Sequence, residues 1–202
     1  ARKPAGLDLT DAAALPLVGI TAWEALVDRA KVQPGQRVLV HAGAGGVGHV
    51  GVQIAKAMGA VVSTTVSSEE KAAVAARCGA DSVINYRAES VEQYVARCTD
   101  GQGFDVVFDT VGGGNLPKCF QAARAGGTVV CIAARTTADL SLMHAKGLTL
   151  HAVLMLLPLL TGRGRAHHGE ILERLALLVD AGRLKLVRDP ETFAFEDIAA
   201  AH

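Results

Sequence analysis

An α/β fold with a doubly wound, six-stranded parallel sheet and helices on both faces is what this sequence predicts, and three observations predict it. Short β-branched runs alternate with longer amphipathic segments, the pattern of repeated βαβ units. Half of the 202 residues are apolar, enough to bury one full core. A glycine cluster, Gly43-Ala44-Gly45-Gly46-Val47-Gly48, stands between the first buried run and the first amphipathic segment.

In chain order, residues 16–30 read as a helix, closed by the Pro34-Gly35 turn. Strands are expected at 37–41, 61–66, 82–85, 106–109, 128–132 and 148–153. The first crossover helix, 47–58, carries Val47, Val50, Gly51, Ile54, Ala55 and Met58 on one stripe at helical spacing, and Gly59 stops it. Further crossovers are expected at 68–78, 90–98 and 115–123, the last ended by Gly126-Gly127. Residues 168–181 form a strong amphipathic helix with Gly182 as its stop, and 161–165 is the most flexible-looking loop. The chain opens without Met and closes inside an apparent helix, 196–202, so both ends read as cuts around a single domain spanning 1–202.

Composition removes several classes of function. Lys plus Arg balance Asp plus Glu, without blocks of like charge, which argues against nucleic acid as a partner. Cys78, Cys98, Cys119 and Cys131 lack the paired spacing of a zinc knuckle and the density of a disulfide scaffold, so they read as reduced thiols of a cytoplasmic protein. The longest apolar stretch, 148–160, is interrupted by His151 and Pro158, and no membrane span is expected. Its 154–160 portion reads as a helix lying against a partner or another domain. His167-His168 with Glu170 lacks convergent geometry for a metal and reads as a solvated surface. No H-E-x-x-H or G-x-S-x-G occurs, and Tyr86 and Tyr94 are not followed four residues on by lysine, as the short-chain dehydrogenase pair requires. No residue here is expected to act as a catalytic acid or base.

The glycine cluster carries the chemistry. Gly43-x-Gly45-x-x-Gly48 after a strand and before a helix is a dinucleotide-binding arrangement, the hallmark of a Rossmann fold. Gly43 permits the tight turn, Gly45 lets the backbone approach a pyrophosphate, and Gly48 lets helix and strand pack closely. Ala44, Gly46 and Val47 complete the loop, whose N–H groups and helix dipole attract phosphate. A P-loop is disfavoured because His49 stands where its lysine would be.

An NAD site usually has an acid about 20 residues past this loop. Here the place reads Thr64-Thr65-Val66-Ser67-Ser68-Glu69-Glu70-Lys71, so Ser67 and Ser68 replace the acid and Lys71 follows one helical turn on. This favours NADP. The same residues also make a capping box, with Ser67 as cap and Glu70 reaching back, and the two adjacent glutamates keep NAD open as the alternative.

Five separated motifs then resemble the quinone-oxidoreductase, zeta-crystallin-like branch of the medium-chain dehydrogenase/reductase superfamily over essentially the whole chain. They are Leu17-Val18-Gly19-Ile20-Thr21-Ala22-Trp23-Glu24-Ala25-Leu26, residues 38–48, Val66-Ser67-Ser68-Glu69-Glu70-Lys71, Val83-Ile84-Asn85-Tyr86-Arg87, and Phe104-Asp105-Val106-Val107-Phe108-Asp109-Thr110-Val111-Gly112. The resemblance implies that Ser67, Lys71 and Tyr86 surround the 2′-phosphate of NADPH and that Thr21 lies near the nicotinamide. It also implies that the strand tips at Asp109, Val111 and Ala133 line the nucleotide crevice. Tyr86 read alone is an ordinary strand-end aromatic, Thr21 a hydroxyl bonded to its own helix, and Asp109 a turn former before Gly112.

The resemblance further implies hydride transfer from NADPH to a small quinone or enone held by a GroES-like catalytic domain outside this chain, without zinc. A homodimer paired through strand 148–153 goes with it. An enoyl reductase, a zinc-type alcohol dehydrogenase and a non-catalytic NADPH-binding module are the alternatives.

Overall fold

The computed structural model describes residues 1–189 and 191–201. Six strands, β1 (Arg37–Val40), β2 (Val61–Val66), β3 (Ser82–Asn85), β4 (Phe104–Asp109), β5 (Ala123–Cys131) and β6 (Thr149–Ala152), form one sheet. Its order is β3-β2-β1-β4-β5-β6 and every pairing is parallel. This is the Rossmann arrangement that the βα alternation predicts. The order turns back between β1 and β4, which opens a crevice at the strands' carboxyl ends.

Ten α-helices accompany the sheet: α1 (Leu9–Ala13), α2 (Leu15–Trp23), α3 (Gly46–Ala57), α4 (Glu69–Arg77), α5 (Val91–Thr99), α6 (Leu116–Ala122), α7 (Ser141–Ala145), α8 (Leu157–Thr161), α9 (Arg165–Asp180) and α10 (Ile198–Ala201). That number is for the described residues. Strand alternation sends Val38, Val40, Val106, Phe108 and Val130 to one face, where they meet Val50 and Ile54 of α3 and Ile171 and Leu175 of α9. Leu39, Val107 and Val129 face the other way, against Tyr94 of α5 and Leu116 and Phe120 of α6. Two apolar layers thus clamp a sheet buried on both sides, which is why its strands read as apolar runs rather than alternating ones.

The structure corrects four expectations. The helix placed at 16–30 is α2 followed by a π-helical turn, Glu24–Arg29. That turn presents Glu24 to His168 at 2.9 Å and Asp28 to His167 at 2.8 Å, which docks α9. His168 is therefore buried and paired rather than solvated, while the half-exposed His167 also meets Glu170. The pair Gly126-Gly127 does not end α6; the helix stops at Ala122 and β5 runs through both glycines. The Lys146 ammonium explains the early stop, because it takes the loose carbonyls of Phe120, Gln121 and Ala123 at 2.7–3.0 Å. The cap of α4 is Ser68, not Ser67; its Oγ accepts from Lys71 N–H at 3.4 Å.

Near the C-terminal end the differences are small. Gly182 has a positive φ of 68° and follows α9 as expected, and α9 begins three residues early, after left-handed Gly162 and Gly164. Of the helix expected over 196–202, Ile198–Ala201 is α10 and His202 lies outside the described residues. Helix α8, Leu157–Thr161, overlaps the second half of the helix expected at 154–160 and ends one residue beyond it, and Leu154, Leu157, Leu159 and Leu160 are exposed. The four cysteines are free, and none of the described helices is long and apolar enough to cross a membrane.

Candidate nucleotide-binding cleft

The first βα turn is built around two contacts that leave no room for a side chain. A Cβ on Gly43 would lie 2.0 Å from Thr64 Oγ1, and one on Gly48 would lie 2.0 Å from the Ala42 carbonyl oxygen. Ala42 itself takes a left-handed φ of 52°, a strained conformation for a residue with a Cβ. Hydrogen bonds over-determine it: Ala42 N–H donates to Thr65 Oγ1 at 3.0 Å, Gly43 N–H to Thr65 O at 3.1 Å, and Gly45 N–H back to Ala42 O at 2.8 Å. The turn delivers the chain into α3 with Gly45 as an N-cap that has no side chain to satisfy the first-turn N–H groups. A helix start in that state is an anion seat.

A cavity of about 690 Å³ opens beside this turn, within the range of small-molecule sites. It brings together Ala44, Gly45, Ser67, Lys71, Tyr86 and Val111 from the expected set. Ser67 is free for the cleft because Ser68 does the capping. Glu69 and Glu70, on the first turn of α4, do not line the cavity. Glu89 and Glu92 do line it, the Glu89 carboxylate taken by Arg97 at 2.9–3.0 Å.

The remaining expected residues lie outside this lining. Gly43, Gly46, Val47 and Gly48 shape the turn and the start of α3. Ser68 serves the helix cap. Thr21 is buried, with its hydroxyl donating to Leu17 O at 2.7 Å in its own helix. Asp109 is fully buried; its Oδ1 accepts from Val111 N–H, Gly112 N–H and Asn115 Nδ2 at 2.9–3.0 Å, which organises the β4 tip. Ala133 is exposed beyond β5, and its carbonyl sits so close to Gly112 that a Cβ there would be 2.2 Å away.

Sequence reasoning missed the far wall, formed by Ser90, Val91 and Tyr94 of the α5 start and Asn115, Lys118 and Gln121 of the β4–α6 region. The available signal was positional, since a helix that follows a strand tip at the switch point starts beside the same crevice. Missed too was His41, in the cavity wall at the end of β1. Its Nδ1 lies 3.2 Å from Thr65 Oγ1, and its buried Nε2 has no partner among the described residues. Burial pushes its pKa down to about 4; the Asp109 charge opposes the shift and Lys118 adds to it. Burial and neighbouring acid charge also hold the Cys119 thiol well above its usual range. Among the described residues no three His, Cys, Asp or Glu side chains converge to hold a metal ion.

The sheet order, the glycine turn and the cleft at the switch point define a Rossmann-type nucleotide-binding class of domain. The chain belongs to the zinc-binding dehydrogenase family, whose description matches residues 46–165, within the medium-chain dehydrogenase/reductase superfamily. It is 34% identical to a 2-haloacrylate reductase from Burkholderia sp, over all of this chain and 62% of that protein. The crystal structure of an alcohol dehydrogenase superfamily protein from Novosphingobium aromaticivorans superposes with a TM-score of 0.94 at 44% identity, over all of this chain and 60% of that one. Escherichia coli quinone oxidoreductase, crystallised with NADPH, superposes with a TM-score of 0.82 at 30% identity, over 94% of this chain and 59% of that one. The chain thus spans about three fifths of the length of these relatives.

Two outcomes follow from the geometry. Gly48→Ala should destabilise the fold by about 1–3 kcal/mol, since its neighbour is rigid backbone. Gly46→Ala, whose nearest neighbour is a Val18 methyl at 3.7 Å, should be tolerated far better. Urea denaturation of both variants checks this, and equal costs would contradict it. The second outcome concerns pH. A folded pKa near 4 against an ordinary 6.5 means that the unfolded chain binds more protons in between. Stability is therefore complete above about pH 6.5 and is lost as pH falls toward 4, with His49, also lowered by burial, acting in the same direction. Denaturation midpoints from pH 7 to 4 should fall more gently in His41→Gln than in the parent chain, and identical slopes would refute the assignment.

Proposed function

We propose that this chain is the NADPH-binding domain of a zinc-independent, quinone-oxidoreductase-like enzyme that passes a hydride to a quinone or an activated alkene. One observation carries the reading: the glycine turn and the Ser67, Lys71 and Tyr86 side chains line one cavity, while Glu69 and Glu70 at the start of α4 do not. NADPH, when bound, supplies the hydride; this chain supplies position. The first turn of α3 seats the pyrophosphate at its free N–H groups. Ser67 and Lys71 take the 2′-phosphate, with the ammonium as a compact counter-charge and Tyr86 at its side. The tip of β2 carries no acid, so no carboxylate from that strand end repels the phosphate.

The substrate is held by residues outside the chain, and an activated alkene fits the match, over all of this chain, to a 2-haloacrylate reductase. Zinc independence rests on the likeness of the motifs to the quinone-oxidoreductase branch. The site of action is the cytoplasm, in keeping with four free thiols. A homodimer forms through β6, the outer strand beyond β5, whose outward edge has no neighbouring strand among the described residues.

Calorimetric titration tests the cofactor assignment. NADPH should bind at least tenfold more tightly than NADH, about 1.4 kcal/mol, and Lys71→Ala should remove most of that difference while leaving NADH nearly unchanged. Equal binding of the two nucleotides would overturn it. The dimer is tested by light scattering. The parent chain should have twice the monomer mass, and Ala152→Pro should halve it, because Ala152 is exposed and, with Val153 N–H bonded to Cys131 O of β5, alternation turns the Ala152 N–H to the outward edge. A monomeric parent chain would contradict the pairing.

A further inference from the structure

His49 directly follows the glycine loop on α3, one turn beyond Gly45, and is buried. Both of its ring nitrogens are engaged by backbone: Nδ1 is 2.9 Å from Gly45 O, and Nε2 is 3.1 Å from Val187 N. A backbone N–H can only donate, so Nε2 carries the lone pair and Nδ1 carries the hydrogen. Burial, which lowers the pKa of His49, keeps that neutral tautomer. The Gly45 carbonyl consequently accepts twice, from the Nδ1–H and from the His49 backbone N–H at 3.0 Å. An ordinary helix start provides only the backbone bond.

That second bond has a directional effect. The Gly45 C=O and the Gly46 N–H belong to one planar trans peptide and point in opposite directions. Pinning the carbonyl toward α3 therefore aims the Gly46 N–H outward from the helix start, where phosphate charge is attracted. On its other side the imidazole reaches the segment after α9. Gln53, one turn along the same helix face, holds that segment too: its Oε1 accepts from Lys185 N–H at 2.7 Å, and its Nε2 donates to Lys185 O at 2.8 Å and His49 O at 3.0 Å. Leu184 is buried next to these bonds.

We infer that His49 is a positioning residue which orients the pyrophosphate-binding peptide and couples nucleotide binding to the docking of residues 185–187. The inference rests on the cleft being an NADPH site. Coupling of this kind is reciprocal: a docked segment holds the tautomer that aims Gly46, and a phosphate seated at Gly46 holds the imidazole against Val187.

Amide hydrogen exchange of this chain, with and without NADPH, combined with two substitutions, tests it. His49→Asn places an amide N–H near the Nδ1 position, and His49→Gln places an amide oxygen near the Nε2 position. In the parent chain NADPH should slow exchange at Lys185 and Val187 beyond its effect on core amides such as Leu175. His49→Asn should keep NADPH affinity within about threefold and lose the extra protection at Val187. His49→Gln should weaken NADPH by about five- to tenfold, the scale of one hydrogen bond, and leave binding of adenosine 2′-monophosphate, which has no pyrophosphate, unchanged.

Thermal melts identify a variant that fails to fold, in which case exchange in the parent chain decides. If NADPH binds but protection at Lys185 and Val187 does not exceed that of the core, or if both variants bind alike, the coupling is wrong and the cofactor reading stands. If NADPH does not bind at all, both fall.

Discussion

Everything at the cleft depends on one close approach, the Ala42 carbonyl against the glycine at position 48. Only a residue without a Cβ lets α3 start that near the end of β1, and only that start places free N–H groups at the sheet's switch point. The cost is visible at Ala42, whose left-handed backbone is held by Thr65 from the neighbouring strand. A parallel neighbour in register is thus part of the nucleotide turn: Thr64 pairs with Val40 through the sheet and also fills the space over Gly43. Sheet register and the proposed phosphate seat are one construction.

The specificity end of the cleft is built by division of labour between adjacent serines. Ser68 spends its hydroxyl on the helix cap, which leaves Ser67 facing the cavity beside Lys71. Glu69 and Glu70 remain on the first turn of α4, where negative charge favours the helix dipole, but outside the cavity lining. One short stretch therefore satisfies helix formation with acids and turns a hydroxyl and an ammonium to the cavity, where the proposed 2′-phosphate would sit.

Much of this was legible in the sequence, because most of the elements are two-sided apolar strands and amphipathic crossovers whose periods differ plainly. The bounds of β2 and β3 come out as the β-branched runs place them. Two of the misses share a cause in long-range partners. Gly126-Gly127 looks like a helix stop, yet Lys146, more than twenty residues past the end of α6, ends that helix earlier and lets β5 pass through the glycines. His168 looks solvated until the π-turn brings Glu24 to it. The glycine turn could be read because its residues are contiguous. The far wall of the cleft could not, since periodicity shows that α5 and α6 have an apolar face without showing that their starts share a cavity.

Nuclear magnetic resonance mapping of the amides that respond to NADPH tests the central claim most directly, because it asks where the nucleotide sits rather than whether it binds. The account predicts shifts concentrated at Gly45, Gly46 and Val47 of the turn and at Ser67 and Lys71 of the β2 tip. Shifts absent from these positions and gathered elsewhere, for example along β6 or α8, would contradict it.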